Sequence, residues 1–137
     1  DKRARKFLKK SNLDYAHGTG HGVGFFLNVH EGPHSISKFN KIKLKSGMIV
    51  SNEPGYYEKG KYGIRIENLI YITKNNKVMK FNNLTYAPID KNLIMKELLN
   101  KQEKIWLNNY HRLVYRKLKK YMNKTELVLL KESCSNI

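Results

Sequence analysis

The hydrophobic period changes twice along the chain. Residues 3–12 read as the end of a basic helix, with Ala4, Phe7, Leu8 and Leu13 as its apolar stripe. Asp14 to Pro33 (DYAHGTGHGVGFFLNVHEGP) then carries glycine at 18, 20, 22 and 24. Each glycine costs a helix about 1 kcal/mol relative to alanine, so this stretch is expected to run extended and to turn briefly at Gly24–Leu27. Gly47–Ser51 is a short β-like run, and after the turn-rich EPGYYEKGKYG the segment IRIENLIYIT alternates with period two. Ile64, Ile66, Asn68, Ile70 and Ile72 point one way; Arg65, Glu67, Leu69, Tyr71 and Thr73 point the other. Asn75-Asn76 marks a hairpin turn into Val78–Phe81, and Thr85–Pro88 is expected to add a short strand. From about Ile89 to Tyr121 the period becomes helical, with Ile94, Leu98, Ile105, Trp106, Tyr110, Leu113, Val114, Leu118 and Tyr121 on one face and Asp90 as the N-cap. Leu127–Leu130 is a last apolar strip before a polar end, and no internal repeat is present.

Composition narrows the class. At 137 residues the chain can build one domain with a modest core. Hydrophobic residues at 40% and charged residues at 28% exclude collagen-like, low-complexity and fully disordered chains. Apolar runs last only a few residues, so no segment is expected to cross a membrane and no signal peptide is visible. The single cysteine, Cys134, rules out an internal disulfide and fits a reducing cytoplasm, which is the expected location. Lys and Arg number 27 against 11 Asp and Glu, a net +16 that would attract polyanions. A genuine nucleic-acid footprint clusters on one element with aromatics. Here the cations accompany an abundance of Asn, Ile and Tyr, which reads as compositional bias, and Tyr115–Lys124 reads as a solvated helix face.

Two constellations could carry chemistry. His17 and His21 would share a face on a helix, but the glycines between them favour extended chain. Four residues of strand span about 13 Å, so at most one of the pair can hold a given metal ion and the other would line the site. A single histidine in such a turn is ordinarily structural; three of them, at 17, 21 and 30, point to function. Glu53 and Glu67 form the second constellation, centred on Gly60. In an antiparallel hairpin about Gly60, residues whose numbers sum to 120 face each other, placing the two carboxylates on opposed positions with Cβ atoms roughly 4.5–5.5 Å apart. Their repulsion needs a reason: a shared proton, an arginine between them, or bridging divalent cations. Arg65 projects to the same side as Glu67, so a structural Arg–Glu pair stands beside the metal reading.

HGTGHGVGFFLNVHEGP, GMIVSNEPGYY and YGIRIEN, in this order, resemble the C-terminal half of the aminopeptidase P family, one of the pita-bread metallopeptidases. The likeness runs from about Asp14 to Asn68, and WLNNYH around Trp106 is similar to that family's C-terminal extension. The resemblance implies an α+β fold: the C-terminal half of a pita-bread (creatinase/aminopeptidase) domain over residues 1–88, built of antiparallel hairpins, then a helical extension over 89–137 with a long C-terminal helix. It implies a centre of two divalent ions, usually manganese, with His21, Glu53 and Glu67 as metal ligands. Glu53 would also be the general base, His17 and His30 would contact substrate and shuttle protons, and Arg65 would support the ligands. The implied reaction releases the N-terminal residue from peptides with proline in second position. Relatives often dimerise through C-terminal elements, so a homodimer belongs to the same expectation; a membrane or nucleic-acid partner does not.

The chain departs from the family pattern in its aspartates. The family uses two aspartate ligands upstream of the histidine stretch, whereas only Asp1, Asp14 and Asp90 are present here and none stands in the right place. With Asp rather than Met at position 1, the chain reads as a fragment that needs the upstream half of the enzyme and is inactive alone. The alternative is a non-catalytic basic pita-bread module that binds peptides or nucleic acid.

Overall fold

The computed structural model describes residues 1–26 and 28–137, so Leu27, the last residue of the turn expected at Gly24–Leu27, lies outside the described residues. The chain divides into two compact units, Asp1–Thr85 and Tyr86–Ile137.

The first unit opens with α1 (Lys2–Lys10), whose burial differs from the expected stripe. Phe7 is exposed, Leu13 is partly so, and the residue turned inward is Arg5. The apolar side chains of so short and basic a helix are too few to outweigh what Arg5 gains in hydrogen bonds, described below. Two short strands, β1 (Gly20–His21) and β2 (Ser35–Ile36), pair antiparallel. Beside them lies the sheet β3–β6–β7, made of Ile49–Asn52, Asn68–Asn75 and Val78–Asn83. Alternation within β6 does what its sequence predicts: Ile70 and Ile72 are buried with Val50, and Ile36, Leu44 and Met48 pack against them. Asn76, at φ 53°, makes the tight turn from β6 to β7 in the left-handed region that asparagine tolerates.

The hairpin about Gly60 has the expected register. β4 (Gly55–Glu58) pairs with β5 (Tyr62–Arg65), and every partner pair, from Gly55 with Arg65 to Glu58 with Tyr62, sums to 120. The same sum governs β3 with β6, from Ile49 with Tyr71 to Asn52 with Asn68. Regular pairing is interrupted between these two ladders, at Glu53-Pro54 and Ile66-Glu67, so the ribbon is two sheets rather than one. Pro54 has no N–H for a ladder bond. Ile66 in the interruption and Ile64 beyond it are exposed and do not extend the core face of β6. Gly60 sits at φ +74°, where a side chain would be strained.

In the second unit the expected continuous helical stretch is broken. Lys91–Leu93 and Lys96–Leu98 are single 3₁₀ turns, and Asp90 caps the first of them by accepting from the Asn92 N–H. Thr85–Pro88 forms no strand. The long helix α2 runs from Lys101 to Leu118 and starts at a capping box of Asn100 and Glu103. A second box, Asn123 with Glu126, starts α3 (Lys124–Ser133), so the last apolar strip is a helix in its own right. The buried face of α2 is Leu107, Tyr110, His111 and Val114, whereas Leu98, Ile105, Trp106 and Tyr121 are exposed. Trp106 stacks on Tyr110 with ring centroids 5.7 Å apart. Tyr110, Val114, Leu130 and Cys134 form the core of this unit. Among the described residues no helix is long and apolar enough to cross a membrane.

Candidate metal centre

The glycine-rich stretch is extended because it is threaded against β3. A Cβ on Gly20 would stand 1.9 Å from the Ser51 carbonyl oxygen, so only glycine allows this approach. Gly22 bridges to Val50, and the Glu53 N–H donates to the Thr19 carbonyl at 2.8 Å. These contacts set His21 against Glu53, with Nε2 3.3 Å from Oε1. The His21 Nδ1 lies 2.9 Å from the Gly22 carbonyl, which can only accept, so the Nδ1 carries the proton. The Nε2 therefore faces a carboxylate oxygen and calls for a proton or a metal ion. His30 packs its ring 4.2 Å from that of His21, centroid to centroid.

Glu53 is only 7% exposed. Its Oε1 accepts from the Ser51 hydroxyl at 2.8 Å, and Ser51 in turn accepts from the His21 N–H. Glu67 lies in the interruption across from Glu53, flanked by 120-sum pairs on both sides. Arg65 stands between the acids: its Nη1 is 3.3 Å from Glu53 Oε2 and 3.9 Å from Glu67 Oε2. Its Nε donates to the Tyr57 hydroxyl at 2.8 Å, and that hydroxyl also meets His17 Nε2 at 2.8 Å. The Tyr57 bond first, and then the charges on Glu53 and Glu67, raise the Arg65 pKa.

His17 and His21 are thus separated in role by position. His17 Nδ1 is bonded to the Gly18 carbonyl and its Nε2 to Tyr57, with no contact to the carboxylates. Tyr57 belongs to this candidate site although the sequence did not single it out; its signal was the third position of β4, on the same face as Gly55 and across from Gly63.

The aspartates are engaged elsewhere. Arg5 donates through Nε to Asp1 at 2.9 Å, through Nη1 to Asp14 and the Tyr15 carbonyl at 2.7 Å each, and through Nη2 to the His17 carbonyl at 2.6 Å. The Arg5 bond holds the Asp14 pKa below the usual carboxylate range. Asp1 also accepts from the Thr19 hydroxyl, to which Tyr15 OH bonds. Arg5 therefore ties down the backbone leading into the histidine pair.

The donor set, an imidazole nitrogen with two carboxylates, suits a hard to borderline divalent ion. In arrangement it is incomplete: among the described residues no three His, Cys, Asp or Glu side chains gather closely enough to hold an ion. Glu67 is kept apart by the Arg65 guanidinium. A hollow of about 730 Å³ lies in the second unit along Pro88–Lys96 and Glu132–Ser135, away from these residues in sequence. Its Lys91 is occupied with the Glu132 and Ser135 carbonyls at the end of α3. Lysines lie over aromatic rings in both units: Lys6 and Lys10 over Phe7 and Lys38 over Phe39 in the first, and Lys117, Lys119 and Lys120 over Tyr86, Tyr115 and Tyr121 in the second.

Residues 1–74 match the model of metallopeptidase family M24, and residues 77–137 match the C-terminal region of peptidase M24. A probable Xaa-Pro aminopeptidase P of Laccaria bicolor is 54% identical over 122 residues, covering 81% of this chain and 19% of its own length. A counterpart from Coprinopsis cinerea is 50% identical over 129 residues, covering 86% and 21%. Among solved structures, an X-prolyl aminopeptidase from Caenorhabditis elegans, described as a cytosolic enzyme with a di-nuclear active site, superposes with a TM-score of 0.90 at 40% identity. That match covers 100% of this chain and 24% of the worm protein. A prolidase from Pyrococcus furiosus reaches 0.51 at 38% identity over 59% of this chain and 23% of its own. The chain thus spans about a fifth of the length of the curated relatives it matches.

Proposed function

The chain belongs to metallopeptidase family M24 and has the fold of the C-terminal half of its pita-bread members, and from that premise we propose that it supplies part of the active site of an Xaa-Pro aminopeptidase. The observation that carries this is the contact of His21 with Glu53, on a ribbon whose register sets Glu53 across from Glu67. His21, Glu53 and Glu67 would hold divalent ions, manganese in our reading because the set is rich in oxygen donors. Bound there, the ions supply Lewis acidity to the attacking water and to the scissile carbonyl.

The chain's own residues do the rest. Glu53 accepts the proton of the attacking water, and the Ser51 hydroxyl on Oε1 orients its carboxylate. His30, against the His21 ring, or His17, once released from Tyr57, would donate a hydrogen bond to the oxygen that gains charge as the carbonyl becomes tetrahedral. Arg65 supports the two glutamates from β5. The substrate is a peptide with proline second, and the location is cytosolic, as described for the worm enzyme. Residues 1–88 act as the catalytic half and 89–137 as the helical extension.

Because Asp1 and Asp14 are bonded to Arg5 and Asp90 caps a 3₁₀ turn, the remaining ligands come from upstream sequence, and the 137 residues alone are inactive. Joining the upstream segment of the Laccaria bicolor relative to this chain tests the reading with a Xaa-Pro peptide and manganese. Turnover is expected only from the joined protein and only with Glu67 intact. Turnover by the 137 residues alone, abolished by Glu67→Ala, would overturn the fragment reading; a joined, folded protein without turnover would overturn the activity.

A further inference from the structure

We propose that the exposed surface formed by the end of α2 and the 3₁₀ turn Lys119–Tyr121 that follows it binds single-stranded nucleic acid. That role is separate from peptide hydrolysis and does not depend on it. Between Arg112 and Lys124 the chain carries six cations (Arg112, Arg116, Lys117, Lys119, Lys120 and Lys124) and no acid, and all six side chains are exposed. Every ion pair among the described residues lies in the first unit, so none of the six is neutralised. Three acids of the second unit, Asp90, Glu103 and Glu126, are engaged in capping helical turns.

Helix stability does not account for the whole run. The dipole favours cations in the last turn of α2, which covers Arg116 and Lys117. Arg112 and Arg116, however, stand four apart on one helix, where like charges repel. Lys124 is the first residue of α3, the end at which the dipole disfavours a cation. Aromatic rings lie among these charges. Lys117 Nζ is 5.6 Å from the Tyr86 ring centre, Lys119 Nζ 6.0 Å from that of Tyr115, and Lys120 Nζ 4.7 Å from that of Tyr121. Tyr86 and Tyr115 pack against the core, whereas Tyr121 is 71% exposed and leaves its ring open. Unpaired cations follow a phosphate backbone, and an open ring accepts the face of a base whatever its sequence.

Fluorescence anisotropy of a short labelled oligouridylate with the 137-residue chain, at about 50 and 200 mM salt, tests this. Arg116→Gln, Lys119→Gln and Lys120→Gln in one chain are expected to weaken binding about 30-fold at the lower salt and to reduce the logarithmic salt slope by about two. Lys59→Gln, Lys77→Gln and Lys80→Gln remove the same charge from exposed positions of the first unit and should cost no more than about threefold. Equal losses in the two triple variants would assign the binding to net charge and overturn the proposal. So would a parent chain that does not bind, or whose affinity is the same at both salts. Tyr121→Ala should weaken the oligonucleotide about fivefold and leave binding of inorganic polyphosphate unchanged. A loss for neither ligand, or an equal loss for both, overturns nucleic acid as the partner. All of these side chains are exposed, so the variants are expected to keep the parent's Tm.

Discussion

Replacing Arg5 with methionine removes a guanidinium joined to four acceptors, on a side chain that is 11% exposed. Methionine keeps much of the volume and the packing on Tyr15, whose ring lies 3.9 Å from the guanidinium carbon. It leaves the Asp1 carboxylate, 7% exposed, with only the Thr19 hydroxyl, and strands the Tyr15 and His17 carbonyls. Losing one partner of a buried ion pair costs about 3–5 kcal/mol. The half-exposed Asp14 adds little to that figure because water replaces its partner. We expect about 3 kcal/mol, a large share of a typical domain stability of about 5–15 kcal/mol. Urea unfolding followed by circular dichroism measures it, and at roughly 1–3 kcal/mol per molar the midpoint should fall by about 1–3 M. Arg5→Lys keeps the charge but not the fork and should fall between the two. A loss below about 1 kcal/mol for Arg5→Met would refute the assignment of Arg5 as the clamp on the histidine stretch.

Three further outcomes follow from single contacts. His111 is fully buried and its Nε2 accepts from the Ile89 N–H at 3.1 Å, while Nδ1 faces the Ser135 backbone without a well-formed hydrogen bond. Burial first, then the charge of Lys91, pushes its pKa below the ordinary value of 6.5. The stability it contributes is complete above 6.5 and is lost as pH falls through the depressed value. Tm followed by Trp106 fluorescence should therefore fall on acidification below pH 6.5, and a slope unchanged in His111→Phe would exclude His111 as its source. Gly20→Ala should cost about 1–3 kcal/mol and weaken manganese binding through His21, because its Cβ meets the Ser51 carbonyl; titration showing parent affinity would contradict that placement. Gly60→Ala meets no atom within 4 Å and should cost only about 1 kcal/mol, from its φ of +74°, in urea unfolding, with binding unchanged.

The register of the ribbon was legible because it depended on local geometry. A hairpin's register follows from its turn, so counting outward from Gly60 placed Glu53 across from Glu67 before any fold was known. The glycines between His17 and His21 likewise excluded a shared helix face, and the two histidines do take separate partners. The helix faces were less legible. Hydrophobicity alone favoured Phe7 on α1 and Trp106 and Ile105 on α2; Arg5 is the residue α1 turns inward, and α2 buries His111 and Leu107 together with the expected Tyr110 and Val114.

That difference has one physical cause. Turn residues, alternation and glycine act within a few residues of themselves, so the amino-acid sequence alone determined the strands of the ribbon, their register and the opposition of two acids. Whether a charged side chain is buried depends on acceptors brought from elsewhere along the chain. Arg5 finds its acceptors as far away as His17, and Glu53 meets His21, 32 positions earlier. Only the tertiary structure could decide that Arg5 takes up the aspartates and that Arg65 stands between the glutamates, because each outcome balances desolvation against partners that exist only after folding.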